Sequence, residues 1–492
     1  MAGPDIAGDG YAVAAFIAYL AIIIGIGIYA TRFSSAGVSE FFVGGRKMHR
    51  FVVALSAVVS GRSAWLLLGV TGMAYASGPS AAWAVVGYIV AELFLFLFYA
   101  KRLRRFSEVY DCVTLPDFFA ARVGDKDGVL RATLAVVILL FMVSYVSSQF
   151  VAGGKAFAAS FDLTPTIGIL LTAAIVLLYT TLGGFLAVSL TDMLQACFMI
   201  FALIILPVIA ILDAGGLGAV LDQLRSIDVA MIDPFAISIG AAIGFVGIGF
   251  GSPGNPHILV RYMSISDAEQ LRYSAVVGTI WNVVMAWGAL FVGLAGRVYF
   301  PTTDMLLGAD TENLYPMLAQ QHLHPILFGV VVASIFAAIM STADSQLLVA
   351  TSSVVRDIYE RLIHRGQELD QRRLVRYSRI ATVGLVILAL IMGFLVEGLV
   401  FWLVLFAWAG LGAALGPTSI LALYWKGVTR AGILAGLVTG TVVTVVWETS
   451  SVLSPLLYEL IPAFAASALA TVVVSRFTQK PEQVDEMFRA ME

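Results

Sequence analysis

The chain has 492 residues, 60% of them hydrophobic and only 12% charged, with a formal net charge of -3 and a mean hydropathy of +0.93. Soluble domains carry about 25% charged residues, so a charge fraction halved from end to end excludes a soluble enzyme on a membrane tail. The mildly acidic balance excludes a nucleic-acid binder, and the cysteines, Cys112 and Cys197 alone, exclude a disulfide scaffold.

A helix needs ~20 mostly apolar residues to cross the hydrocarbon core of a bilayer. Thirteen stretches answer to that: 11–31, 50–74, 80–100, 129–152, 165–187, 190–212, 234–253, 273–297, 325–352, 378–396, 399–424, 431–449 and 457–475. They are too long for barrel strands and lack a two-residue alternation, so the expected class is an all-α polytopic membrane protein. The flank before the first stretch, Met1 to Gly10, holds Asp5 and Asp9 but no Lys or Arg, unlike a cleaved signal peptide. The reading is one transporter domain over 1–492. Its parts are a first peripheral helix 11–31, one five-helix set over 50–212, a second over 234–424, peripheral helices over 431–475 and a tail at 476–492. No length remains for an attached nucleotide-binding or receptor domain, and no Gly-rich phosphate loop with its Lys and Ser/Thr occurs.

Basic residues set the orientation. With the chain start outside, 25 of the 29 Lys and Arg residues fall in inside loops, Arg261 among them. Lys155, Arg225 and Arg297 fall outside, and Arg62 lies within a span. The expectation is therefore a multi-pass protein of the cytoplasmic (plasma) membrane with an outside N-terminus and a cytoplasmic C-terminus.

Two stretches are poor continuous helices. The second carries Ser60-Gly61-Arg62-Ser63 at its midpoint, and the seventh holds five glycines and two prolines between Gly244 and His257. Gly and Pro weaken a helix, and Ser can re-satisfy freed backbone groups. Small residues also permit close helix packing, but each interrupted stretch opens a set of five. Sets with an odd number of helices must lie in opposite membrane orientations. This is the layout of an inverted repeat whose broken first helices meet at the midplane to build a site.

The ninth stretch adds Ala338, Ser341, Thr342 and Ser345 on one helical face. Hydroxyl and carbonyl oxygens suit a small hard cation such as sodium. Ionisable residues at membrane depth are expensive and are functional candidates by default; they are Arg62, Glu92, Asp192 and Asp344. Arg62 and Glu92 fall near the centres of neighbouring spans and can pair, while Asp192 stands where a helix cap would. The five histidines (His49, His257, His322, His324, His364) read as span ends or loops. With no His-Glu-x-x-His and no Gly-x-Ser-x-Gly, the chain does not read as an enzyme.

The chain resembles the sodium:solute symporter family, and within it the bacterial sodium/proline branch. Carrying the resemblance are Phe42-Val-Gly-Gly-Arg46, Ser56 to Gly72 around Trp65, Thr114-Leu-Pro-Asp-Phe-Phe119 and Gly183 to Gln195 around Asp192. Asn255-Pro-His-Ile-Leu259, Met340-Ser-Thr342, Ala407 to Pro417 and Thr429 to Gly436 complete the set. The resemblance implies a leucine-transporter-like core with a five-plus-five inverted repeat, and sodium-coupled uptake by alternating access. It places sodium on the backbone of Val59 and Arg62, the Ala338 carbonyl, and the hydroxyls of Ser341 and Thr342. It places substrate near Ser63, Trp65, Tyr145 and the broken seventh helix, Asp192 near the inward ion path, and Arg46 at a basic position of the first cytoplasmic loop.

The chain departs from the proline branch at Gly61-Arg62, where that branch has Asp-Met, and at Ile248 and Ser252, where it has Trp and Tyr. Three roles for Arg62 stand open: a receptor for the substrate carboxylate, a tethered cation replacing a transported one, or a structural partner locked to Glu92. Glu92 and Asp344 join Asp192 and Arg46 as candidates for coupling or the ion path. The expected function is sodium symport of a small carboxylate-bearing solute, L-proline first. A monocarboxylate or other small nutrient, or proton-coupled or uncoupled carriage with Arg62 as the cation, are the alternatives. Sodium is the co-transported ion rather than a bound cofactor. The lipid bilayer, sodium and the solute are the expected partners, with no nucleic acid and no obligatory protein partner.

Overall fold

The structure is a computed structural model that describes residues 9–34, 37–395 and 398–492. Asp5 and residue 396, the end of the tenth expected span, lie outside the described residues.

Helix starts follow the local chemistry. Thr164 precedes Pro165, and its side chain accepts from Ile167 N. Ser238 accepts from Ala241 N, and Thr429 from Gly432 N. A short polar cap satisfies an orphan N–H, and Pro at the first helical position gives up a donor that has no partner there.

The helices used below are α1 (Gly10–Ser34), α2 (Arg50–Ser60), α3 (Thr71–Ser77), α4 (Ala82–Phe94), α5 (Ala100–Val109), α6 (Leu115–Val123) and α7 (Val129–Phe161). They continue with α8 (Pro165–Asp213), α9 (Ile239–Gly247), α10 (Pro256–Ser264), α11 (Leu271–Tyr299), α12 (Pro325–Ser352) and α13 (Gln371–Leu395). Last come α14 (Val400–Tyr424), α15 (Arg430–Thr449) and α16 (Leu460–Arg476). Among the described residues no β-strand forms; a single isolated bridge joins Met48 and Ile265.

Nine helical stretches among the described residues are long and apolar enough to cross a membrane. Four shorter apolar helices, Arg50–Ser60, Pro165–Thr181, Ile239–Gly254 and Leu460–Arg476, stand at the other expected positions. α8 runs through two expected spans. Gly184 divides them at φ 59 and ψ -161, a conformation that only glycine holds without strain.

Burial sorts the helices. The most apolar windows of the stretch containing α12 and of α14 are 83% buried, against 28% for α1 and α13. α12 and α14 thus form the centre, while α1 and α13 expose Ile17, Ile22, Ile387 and Ile391 to lipid. α12 packs against α7, α8, α1 and α2, which brings its polar face onto the break that ends α2.

The seventh span, expected to end at residue 253, ends at Gly254, but the chain does not leave the core there. The backbone instead tightens over Ile248–Gly254, becomes extended at Asn255 and resumes as α10, which is buried along its whole length. Pro256 does not end the helix here; it starts a new one.

Candidate functional site

α2 stops because its last turn tightens: Gly61 N donates to Val58 O at 3.1 Å and Arg62 N to Val59 O at 3.0 Å. Ser63 then takes φ 36, in the left-handed region, before a wide turn over Trp65–Val70 restores the helix. The freed backbone groups find side chains. Thr342 Oγ1 donates to Ser60 O at 3.0 Å and accepts from Ser63 N at 3.1 Å, while Ala64 N donates to Gln149 Oε1 at 3.0 Å.

Ser341 Oγ lies 3.4 Å from Val59 O and 3.2 Å from Ala338 O. The break in α2 and the face of α12 therefore gather carbonyl and hydroxyl oxygens from Val59, Ala338, Ser341 and Thr342. Arg62 contributes less than expected to this cluster, since its carbonyl accepts from Leu66 N at 3.1 Å. No group of three His, Cys, Asp or Glu suited to a metal occurs among the described residues. Neutral oxygens of this kind match an alkali cation rather than a transition metal.

The Arg62 side chain builds a second group. Its Nη2 stands 2.5 Å from Glu92 Oε2, its Nε donates to Asn282 Oδ1 at 2.7 Å, and Asn282 Nδ2 donates to Glu92 Oε2 at 2.6 Å. The guanidinium also lies over Tyr88, 3.7 Å from the ring centroid. Both charges are buried and balance each other with Asn282 bonded to both, while Glu92 Oε1, Trp65 Nε1 and the Tyr88 hydroxyl have no hydrogen-bond partner among the described residues.

Beside it lies a cavity of about 240 Å³, walled by Gly61, Arg62, Trp65, Tyr88, Tyr145, Ile248, Val404, Leu405 and Trp408. Phe401 stacks on Trp65 at 5.6 Å between ring centroids. Of the expected substrate residues, Arg62, Trp65, Tyr145 and Ile248 reach this wall. Ser63 stands behind it, its Oγ 3.5 Å from the Tyr145 hydroxyl. Ser252 does not line the cavity; it is buried without a hydrogen-bond partner for its hydroxyl among the described residues. The free room inside it is far below that of an ordinary ligand site, too little for a solute with the walls as they stand. The seam between the broken seventh stretch and α4 is unusually close: a Cβ at Gly249 would meet Gly87 O at 2.3 Å, and one at Gly87 would meet Val246 O at 2.1 Å.

A third group joins the expected Asp192 and Asp344 to residues not anticipated. Asp192 Oδ2 accepts from Ser56 Oγ at 2.6 Å, Ser60 Oγ at 3.2 Å and Arg261 Nη2 at 3.2 Å. Asp344 accepts from the Tyr179 hydroxyl at 2.7 Å and from Ser345 Oγ at 2.9 Å. Ser345 also bonds Arg261, so the two carboxylates share one network.

Asp192 is thus no interfacial cap. Arg261, counted above as an inside-loop residue, is 1% exposed within the core, and the resumed helix α10 is the reason. His257, on the same helix, is fully buried rather than at a span end, with its ring 6.1 Å from that of Tyr145. His322 bonds Asp213 at 2.9 Å and packs on Tyr299 instead of standing free in a loop. A second cavity of about 240 Å³, walled in part by Arg261, Ser345, Ser352, Phe42 and Val113, opens beyond this network.

Arg46 is not drawn into the site. It ties its loop to the last turn of α5 and the stretch after it, with Nη1 on Asp111 at 3.1 Å and Nη2 on the carbonyls of Ser107 and Cys112 at 2.9 and 3.0 Å.

The sodium:solute symporter family model matches residues 41–440. The sodium/proline symporters of Staphylococcus aureus strains JH9 and COL are each 37% identical over 481 residues, covering 94% of this chain and 92% of theirs. In three dimensions the chain is similar to a Na+-coupled sialic acid symporter in a substrate-bound outward-open state. The TM-score is 0.82 at 17% identity, over 96% of this chain and 99% of that one. It is also similar to a nucleobase-cation-symport-1 family transporter in a closed conformation, with TM-score 0.54 and 15% identity over 93% and 99% of the two chains.

Proposed function

The chain belongs to the sodium:solute symporter family, a multi-pass transporter with sodium as its co-transported ion, and from that premise we propose that it carries a small carboxylate-bearing solute, L-proline first, into the cell. The observation that carries the reading is the meeting of Ser341 and Thr342 with the carbonyls of Val59 and Ser60 across the break in α2. A sodium ion bound by Val59, Ala338, Ser341, Thr342 and the Arg62 carbonyl would tie α12 to the broken helix. The aromatic cavity beside that break would hold the solute, so occupancy of one site shapes the other. The Asp192–Arg261 network stands between these oxygens and the second cavity, a position that supports a role on the ion's way to the cytoplasm.

The assigned topology is thirteen spans in the plasma membrane, with the N-terminus outside and the C-terminus in the cytoplasm. It follows from the basic loops; of their residues Arg261 joins the buried site, and Arg104, Arg122 and Arg356 are buried as well. The membrane potential supplies ~2.3 kcal/mol per charge per 100 mV, or roughly fifty-fold accumulation for one sodium per solute. The reading of Arg62 as a free tethered cation loses ground, because Glu92 already balances its charge.

The test is counterflow in proteoliposomes against a labelled panel of amino acids and carboxylates, with and without sodium. Sodium-stimulated entry of proline is expected. Entry of a different solute alone would remove proline from the proposal, and entry indifferent to sodium would remove the coupling.

A further inference from the structure

His257 buries a polar ring that its surroundings do not satisfy. The residue is fully buried, and neither ring nitrogen closes a hydrogen bond of ordinary geometry among the described residues. Leaving an imidazole unpartnered in a core costs free energy, so the ring is not there for stability.

Three contacts surround it. The ring meets Tyr145 edge to face, at 6.1 Å between centroids and 84° between planes. Tyr145 walls the solute cavity, and its hydroxyl reaches Ser63 Oγ at 3.5 Å. The ring also faces the Ser60 backbone, in the turn that ends α2. Ser60 O is the carbonyl that Thr342 Oγ1 holds at 3.0 Å. The His257 carbonyl points elsewhere and accepts from Arg261 Nη1, whose Nη2 lies 3.2 Å from Asp192 Oδ2. His257 thus touches the cavity wall, the break beside the sodium oxygens and the arginine of the carboxylate network.

The backbone lets these contacts move together. His257 stands in the first turn of α10, directly after the tightened Ile248–Gly254 stretch, and α10 packs against α2 and α12. Pro256 fixes φ at the start of the helix, and Arg261 follows one helical turn after His257, so a shift at the ring carries the arginine with it. We propose that His257 is a positioning residue for coupling. Solute against Tyr145 sets, through the His257 ring, the geometry of Ser60 and the sodium ligand Thr342, and through α10 the hold of Arg261 on Asp192. This rests on the symport reading above and names the residue that joins its two sites.

The test measures linkage in the purified full chain. Binding of radioactive sodium is titrated with and without saturating L-proline, and binding of labelled L-proline with and without sodium. The two factors must agree, because coupling between ligands is reciprocal. In the unaltered protein each ligand should tighten the other about five-fold or more. His257→Phe keeps a ring for Tyr145 and removes both nitrogens, and His257→Leu removes the ring as well. Either should cut the tightening to below about two-fold while each ligand alone binds within about three-fold of the parent. His257→Gln, which restores a nitrogen, should recover most of the factor. Phe and Leu are two routes to the same loss, so one that fails to fold leaves the other to decide. A folded Phe or Leu variant with the parent's factor overturns the role of His257, as does a Gln variant no better than these, or a loss of both separate affinities with the factor intact. No tightening in the unaltered protein, before any substitution, overturns the symport reading instead.

Discussion

Replacing Arg62 by Met removes a guanidinium that is 1% exposed and leaves Glu92, 2% exposed, with a buried charge and only Asn282 Nδ2 as donor. Breaking a buried ion pair from one side costs about 3–5 kcal/mol. The lost contact with Tyr88, at 3.7 Å, belongs to a class worth ~0.5–2 kcal/mol. Glu92→Gln strands the opposite charge but keeps an oxygen for Asn282, so it should cost less. The double variant Arg62→Met/Glu92→Gln leaves no charge to desolvate and should return to within about 1–2 kcal/mol of the parent. A double-mutant cycle therefore predicts a coupling of at least ~2 kcal/mol between the two positions. Thermal unfolding and the monodisperse fraction of detergent-purified protein measure it, with the double variant melting above Arg62→Met. The reasoning is refuted if both single variants melt like the parent, or if the double melts as low as the worse single.

Thr342→Ala removes the hydroxyl that bridges Ser60 O and Ser63 N, so the sodium concentration for half-maximal uptake should rise about ten-fold or more, since each oxygen ligand counts for a hard cation. Thr342→Ser keeps the hydroxyl and should stay near the parent, and equal behaviour of the two variants would exclude Thr342 as a sodium ligand. Gly249→Ala drives a methyl to 2.3 Å from Gly87 O. Overpacking of that kind costs ~1–3 kcal/mol even where neighbours yield, so folded yield should fall far more than for Gly25→Ala, which has nothing within 4 Å.

The fold and the oxygen cluster were legible because each rests on a local pattern. Long apolar runs mark helices, Ser60-Gly61-Arg62-Ser63 marks an unwound turn, and the spacing of Ala338, Ser341, Thr342 and Ser345 marks one face. Arg261 was hidden by the double proline before it. Pro253 and Pro256 read as the end of a span, whereas the second restarts the helix and carries an arginine into the core. The available signal was an arginine one helical turn after His257, past a proline that can start a helix as well as end one. Asn282 had no such signal, being one neutral amide in an apolar stretch. Tyr88 and Trp408 look like any packed aromatic until the cavity shows which side they face. The long-range pairing of α2 with α4 and α11 decides those roles, and no short window of sequence contains it.

Asn282 has an electrical consequence. By clamping Arg62 to Glu92 it makes two full charges into a single compact dipole at membrane depth. When the site turns from one side of the membrane to the other, a dipole carries no net charge through the field. Reorientation of the carrier then adds no charge movement from Arg62, so transient currents before steady state report the sodium ions rather than a fixed gating charge.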